Sequence, residues 1–386
     1  MDFDLPEELV TLREVVARFT AEQIAPHARE WDRDGGYPDS VVTALGEQGL
    51  LGALVPEEYG GAGGDHLTLA VILEELARGD GGLALAVEAH STLATMHILL
   101  AGSEDQKRKY LPPLATGEYL GCWCLTEPGS GTDAGALATT AGRDGDDWVL
   151  DGSKQFITNG ARAGTYVVMG RTGPGRDGIS AFIVEQGTPG LTIGAKEDKL
   201  GMRSSDTVAV HLEDVRLPAD ALLGREGHAF DDVKRVLESG RVMISAVSLG
   251  LAQAALDRSA GYANEREAFG KRIIEHELIQ AKLADMVAQV HAARLLVQRS
   301  AAMLDAGRDL GVGGAVTKLF SSEMATRVCM DAIQVHGGYG YLKDYDVERL
   351  MRDAKLCEIG EGTSEILRVL IARSLRAPSS GAGGSA

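Results

Sequence analysis

Positive charge is what this 386-residue sequence most lacks. Its 38 Lys and Arg face 56 Asp and Glu, for a formal net charge of -18. Clustered cations that replace phosphate counterions are missing, which argues against a nucleic-acid surface and against docking on an anionic membrane. An acidic protein still binds a phosphorylated ligand through a few placed arginines, helix N-termini and backbone N–H groups. Cysteine is scarce too: four in a chain this long make no disulfide framework. No uncharged apolar run of roughly 18 residues occurs, so no membrane-spanning helix is expected. The segment Met1-Asp2-Phe3-Asp4 lacks the basic and apolar regions of a secretory leader. These absences give the expectation of a reduced, cytoplasmic protein.

Apolar residues make up 44% of the chain, enough for a substantial interior, and the length suggests two or three domains. Three regions of different pattern follow one another. Residues 1–120 read as helical. Leu5, Leu9, Leu12, Val16 and Phe19 form one apolar helix stripe. After a break at Gly60–Gly64, Leu67–Arg78 and Leu83–Ala101 keep that period, and Pro112-Pro113 is expected to stop the last helix. Residues 121–230 read as short strands: Trp148–Gly152 entering a turn, Tyr166–Met169, Ile179–Val184 and Thr207–Val215. Residues 231–377 return to helices over Val233–Ala263, His276–Leu304, Gly313–Gln334 and Ser364–Leu375. The tail, 378–386, is Ser/Gly/Ala-rich and expected to be disordered. The fold class is thus α+β and multidomain, with an N-terminal helical domain, a middle β-barrel or sandwich and a C-terminal four-helix bundle.

Five segments carry candidate chemistry. Trp123-Cys124-Leu125-Thr126-Glu127-Pro128-Gly129-Ser130-Gly131-Thr132 is a strand ending in a Gly-rich turn with several hydroxyls. Such a turn lets backbone N–H groups approach a ligand, although a plain connecting loop explains it equally well. In Lys154–Gly160, a strand offers Phe156 and Thr158 on one face, suited to a flat heterocycle or to an ordinary core. Arg266-Glu267-Ala268-Phe269-Gly270-Lys271 is expected to open a helix containing Gln280, with Arg266 a pyrophosphate partner or a surface ion pair. Gln334-Val335-His336-Gly337-Gly338 ends a helix on glycines that also permit backbone contact with a ligand. Finally, Glu361 sits between Gly360 and Gly362, just before a helix capped by Thr363 or Ser364.

In order, spacing and coverage, from about Leu5 to Arg376, these segments resemble the acyl-CoA dehydrogenase family. The resemblance implies a bound FAD, an acyl-CoA substrate, an electron-transferring flavoprotein as partner and a homotetramer. It makes Glu361 the catalytic base. It makes Trp123, Cys124, Leu125, Thr126, Gly131 and Thr132 the loop that cradles the flavin, with Phe156, Ile157 and Thr158 its second contact. Arg266, Phe269, Gln334, Val335, His336, Gly337 and Gly338 resemble residues that hold the FAD of a neighbouring subunit, and Thr363 and Glu365 flank the site. Substrate contacts would come from Thr132, Glu238, Arg241 and Gly362.

The implied reaction is removal of an α-proton by Glu361, with the β-hydride passing to flavin N5 and a trans-2-enoyl thioester as product. Three departures matter. Gly360 stands where the family commonly has Tyr, which suggests room for a branched, cyclic or aromatic acyl group, within an expected range of short, branched or cyclic substrates. Glu238 replaces a usual Asp, and Glu277 a usual flavin-contacting Gln. Cys122 and Cys124 face the same way on a strand as small core residues, and no histidine spacing suggests a metal. His90 is expected to be a core or surface residue before an acyl-pocket one. An oxygen-using oxidase, a flavin monooxygenase and a non-catalytic CoA-thioester-binding protein are the competing classes.

Overall fold

In the computed structural model, which describes residues 4–376, helices flank a curled sheet. The expected disordered tail lies outside the described residues. The N-terminal part holds α1 (Glu7–Phe19), α2 (Ala28–Asp34), α3 (Asp39–Glu47), α4 (His66–Gly79), α5 (Gly81–Glu88), α6 (Met96–Ala101) and α7 (Glu104–Thr116). A π-helical stretch, Ala89–Thr95, joins α5 to α6, so the helix expected over Leu83–Ala101 carries a widened segment. Such segments concentrate at functional sites.

Pro112 and Pro113 do not stop α7, contrary to expectation: they lie inside it, and the helix ends at the left-handed Gly117. The missing N–H groups leave the carbonyls of Arg108 and Lys109 without their helical partners, on residues that are both exposed. Burial of Leu111, Leu114 and Ala115 then holds the last turn.

The middle part comprises β1 (Leu120–Cys124), β2 (Thr140–Asp144), β3 (Asp147–Thr158), β4 (Ala163–Arg171), β5 (Ile179–Glu185), β6 (Leu191–Lys196), β7 (Thr207–Leu217) and β8 (Leu222–Leu223). The sheet order is β6-β7-β3-β2-β4-β5-β8, with β1 parallel to β4. Residues of β1, β3, β4, β5 and β7 share one core, and the rings of Trp148 and Phe182 meet edge-on at 5.1 Å although two strands separate β3 from β5. The sheet therefore curls around its interior. On β4, Tyr166 and Val168 point into that core, while Val167 and Met169 pack against α7 and neighbouring helices. Burial on both faces explains why this run shows no alternation. The expected turn after Trp148–Gly152 is instead a bulge, and β3 runs on to Thr158.

The C-terminal part holds α8 (Ala229–Glu265), a hairpin of β9 (Glu267–Ala268) and β10 (Lys271–Arg272), α9 (Glu277–Asp305), α10 (Gly313–His336), α11 (Val347–Cys357) and α12 (Ser364–Ser374). The hairpin corrects the helix expected to open at Arg266. Phe269 and Gly270 both have positive φ (53° and 77°), which is what a tight two-residue hairpin requires. The helix with Gln280 begins only at Glu277.

Both helical parts share one core, in which residues of α1, α2 and α4 meet those of α8, α9, α10 and α11. The small residues of α8 make this approach close: a Cβ at Gly250 would stand 2.2 Å from the carbonyl oxygen of Glu74 on α4. Two helical spans, Gly81–Ala101 and Ala229–Glu265, are long and apolar enough to cross a membrane, more than the expectation of none. Their most apolar windows are 78% and 89% buried in this fold, so their apolar faces are taken up by protein.

A charged hub fastens α11 to the N-terminal helices. Arg349 is buried, and its guanidinium faces Asp80, Asp346 and Asp353 at 3.5, 3.0 and 3.7 Å. Asp80 also caps α5 by accepting from the N–H of Leu83, and Asp353 accepts from the N–H of Met202 at 2.6 Å. Next to it, Arg352 grips Asp32 and Glu348.

Candidate functional site

Glu361 occupies a left-handed backbone conformation, φ 57°, between Gly360 and Gly362. A non-glycine residue held there costs on the order of 1–3 kcal/mol and persists only where its surroundings impose it. Three neighbours do so. The Nε of Arg241, on α8, lies 3.4 Å from the Glu361 carbonyl oxygen. Lys318, on α10 and fully buried, donates to the carbonyl of Gly362 at 2.7 Å. Thr363 caps α12 through its hydroxyl, which accepts from the N–H of Ile366.

The residue as a whole is half-buried, yet its Oε2 atom is enclosed. That oxygen points at α8, where a Cβ on Gly240 would stand 2.2 Å from it. Only glycine leaves room for the carboxylate there. Close by stands Glu88, fully buried at the end of α5, with its carboxyl beside that of Glu361. Thr92, from the π-helical stretch, donates to Glu88 Oε1.

Burial raises the pKa of Glu361, while the Glu88 hydrogen bond, Lys318 and Arg241 pull it back. Glu88 is pushed further up, first by burial and then by the charge of Glu361. Burial lowers Lys318 to about 8, and it lowers Arg241 against the carboxylates of Glu361 and Glu238. Glu238 is half-buried and raised by burial.

The first and second sequence segments are bound together. Gln155 N–H donates to the Thr126 carbonyl at 2.8 Å. A buried ion pair joins Lys154 to Glu127 at 2.7 Å, and Glu127 also accepts from the N–H groups of Ala138 and Thr139. This brace leaves Thr126 half-buried and Gly131 and Thr132 exposed. Phe156 is 64% exposed at φ 59°, on a bulge of β3, with half-buried Thr158 two residues on. The side chains of Cys124 and Ile157 face the sheet core, so these positions offer a ligand backbone only. Cys122 and Cys124 lie with sulfurs 3.9 Å apart in that core as free thiols. Trp123 is half-buried and donates through Nε1 to His97, which burial holds neutral with a pKa of about 4. Buried Leu125 packs beside it. Asn159 ties this ledge to α5 by donating to the Ala86 carbonyl at 2.8 Å. His90 is a core residue that accepts from Gly121 N–H, as expected of it.

Other residues form a second cluster. Arg266, Val335, His336, Gly337 and Gly338 line an open cavity of about 410 Å³ together with Tyr262, Ile273, Tyr339 and Leu342. Gln334 is exposed beside it, and Phe269 stands 98% exposed on the hairpin turn. Among the described residues Arg266 has no carboxylate partner; its guanidinium lies 5.7 Å from the Tyr339 ring centre. Gln334 is sixteen residues beyond Lys318 on α10, roughly 24 Å along the helix axis at 1.5 Å per residue. One chain therefore does not bring this cluster to Glu361. Glu365, exposed at the start of α12, stays beside the Glu361 loop.

Sequence reading passed over Glu88, Lys318, Gly240 and the Lys154–Glu127 pair. A signal for Glu88 and Lys318 existed: each is a lone charge within a small-residue, apolar helical stretch.

Three family models match the chain: Acyl-CoA dehydrogenase, N-terminal domain, over residues 6–118, middle domain over 122–215 and C-terminal domain over 227–376. A protein of Bacillus subtilis described as a probable acyl-CoA dehydrogenase is 47% identical, over 97% of this chain and 100% of its own length. The butyryl-CoA dehydrogenase of Megasphaera elsdenii superimposes with a TM-score of 0.95 at 40% identity, over 97% of this chain and 100% of that one. A chain from a structure of the electron transferring flavoprotein of Acidaminococcus fermentans gives a TM-score of 0.96 at 41% identity, over 98% and 100% of the two chains.

Proposed function

We infer, since this chain belongs to the acyl-CoA dehydrogenase family, that it dehydrogenates a short acyl-CoA thioester between its α- and β-carbons with Glu361 as base. The observation that carries this reading is the Glu361 carboxylate: enclosed, aimed at Gly240 and held in a left-handed backbone by Arg241 and Lys318.

The α-proton of a thioester is weakly acidic, so its removal needs a carboxylate within hydrogen-bond reach and donors where the thioester oxygen gathers charge. Glu361 supplies the carboxylate, and the family resemblance makes its own N–H one of those donors. Enclosure keeps water from solvating it, which makes it a stronger base than an exposed glutamate. Arg241 and Lys318 fix the backbone on either side of the base, so the carboxylate approaches from one direction.

The residues fit FAD. Exposed, strained Phe156 beside Thr158 and Thr126 offers a flat ring an aromatic edge and hydroxyls, and Gly131 lies open beside them. Unpaired Arg266 next to Gly337 and Gly338 suits a pyrophosphate. When bound, FAD supplies the acceptor for the β-hydride and a route for the electrons onward. The separation of the two clusters favours a site completed by a second subunit, and exposed Phe269, Leu278, Met330 and Tyr341 in the C-terminal part support a homotetramer. The likeness to the chain of the Acidaminococcus flavoprotein structure supports an electron-transferring flavoprotein as acceptor. Free, buried cysteines suit a reducing, cytoplasmic setting.

At Gly360 an added Cβ would meet nothing nearer than the Leu356 carbonyl, at 3.7 Å. This opening supports a short acyl group with room for a branch or ring. Anaerobic titration of the purified flavoprotein with a panel of acyl-CoAs tests the whole reading. Bleaching by short, branched or cyclic members is expected. A yellow protein that no acyl-CoA bleaches would sink it.

A further inference from the structure

Two carboxylate oxygens in the site, Oε2 of Glu88 and Oε2 of Glu361, are enclosed and have no N–H or hydroxyl donor within reach among the described residues. They belong to two carboxyl groups that stand side by side, close enough to interact directly. Ionised carboxylates only accept hydrogen bonds, so a bond between two of them requires a proton on one. Two bare negative charges enclosed side by side would also repel strongly at low dielectric.

The surroundings are unequal. Glu361 is faced by Arg241 from α8 and Lys318 from α10, while the Cys357 thiol of α11, itself raised by burial, stands nearby. Glu358, also beside Lys318, is half-buried on the same side. Among the described residues Glu88 meets no cation, only the hydroxyl of Thr92. The charge therefore settles on Glu361 and the proton on Glu88.

We propose that Glu88 and Glu361 hold one proton between them, with Glu88 as the donor, so that Glu88 is a positioning residue that keeps the base ionised and aimed. The assignment of Glu361 as base rests on the dehydrogenase reading; the shared proton does not. A donated hydrogen bond offsets the penalty of enclosing the Glu361 charge, so the base stays ready at a pH where an enclosed glutamate alone would be protonated. When Glu361 takes the α-proton, the pair becomes neutral and no uncompensated charge remains enclosed. The pair titrates as a unit: loss of the shared proton at high pH leaves two charges and spoils the geometry.

The test uses the flavin-loaded protein and its Glu88→Gln and Glu88→Ala variants. Flavin absorbance and thermal melting identify folded material. The pH profile of kcat/KM with a bleaching acyl-CoA is then compared. Glu88→Ala removes the donor, so its acidic limb should move up by about one pH unit, a tenfold loss on the acid side. Glu88→Gln donates permanently, so it should keep the wild-type acidic limb and lose the alkaline limb that reports the shared proton. A merely structural role would lower activity evenly across pH in both variants, and that outcome, or an unmoved acidic limb in Glu88→Ala, overturns the proposal. Infrared difference spectra supply a readout without turnover. Wild type minus Glu88→Gln at neutral pH should show the carbonyl stretch of a protonated carboxylic acid, and its absence also overturns the proposal. If no acyl-CoA bleaches the wild type, the dehydrogenase reading fails while the infrared result still decides the shared proton.

Discussion

The molecule encloses two groups of charges, and they are built on opposite plans. In the hub of α11, buried Arg349 stands among Asp80, Asp346 and Asp353, and the acids also accept from backbone N–H groups of Leu83 and Met202. Cation and anion are interleaved, and the carboxylates have donors. At the candidate site, two carboxyl groups face each other, and each has an oxygen without a donor from N–H or hydroxyl. The nearby cations hold backbone carbonyls instead: Arg241 that of Glu361, and Lys318 that of Gly362. Compensated burial makes a fastening. Enclosure that leaves a carboxylate oxygen without such a donor stores reactivity, since its free lone pair is what a substrate proton can occupy.

Breaking each group in turn separates the two plans. Glu361→Gln should lower turnover by about 10²–10⁴-fold, the usual contribution of a general base, with an unchanged or raised melting temperature because an enclosed charge is removed. Arg349→Met should do the reverse. It strands Asp80 and Asp353, costing about 3–5 kcal/mol in urea unfolding, while folded material keeps its flavin reduction rate.

The hub also carries a pH signature. Burial, opposed by Arg349, raises Asp353 to about 7 in the folded protein, above roughly 3.9 for an unfolded Asp. The native state holds the extra proton between those values. Wild-type stability relative to Asp353→Asn should thus be greatest below about pH 4 and decline as pH rises through about 7; denaturant midpoints across that range measure it. Lys318→Met takes a charged donor from the Gly362 carbonyl, an interaction of about 1.5–3 kcal/mol. Turnover should fall about tenfold or more, with little change in unfolding midpoint because a buried ammonium also disappears. The smallest effect is expected at Phe156. Phe156→Gly relieves a left-handed backbone worth about 1–2 kcal/mol, so flavin-free protein should be slightly more stable while flavin dissociates faster, as fluorescence of released flavin would report.

Much of this was legible in the chain. Helical stripes marked α1, α4 and α8–α10, because one face of each meets the core with a 3.6-residue period. Glycines flanking Glu361 announced an unusual backbone, and the Thr363 cap followed from its place before an apolar stretch. Where local signals misled, a distant partner had changed the balance. Prolines sit inside α7 because buried leucines hold its last turn, and β3 passes its bulge because the ladder to β7 resumes beyond it. The segment at Arg266 folds as a hairpin because Phe269 and Gly270 both take positive φ.

The sequence by itself determined the order of helices and strands, the acidic surface and the placing of Glu361 in a glycine-flanked loop, because each depends on neighbours along the chain. Only the tertiary structure decided that Glu88, far away in sequence, shares an enclosure with Glu361, and that Gly240 opens the space between helices for the carboxylate. A hydrogen bond between two enclosed acids is a property of distance and lost water, and neither is written in the residues until the core closes around them.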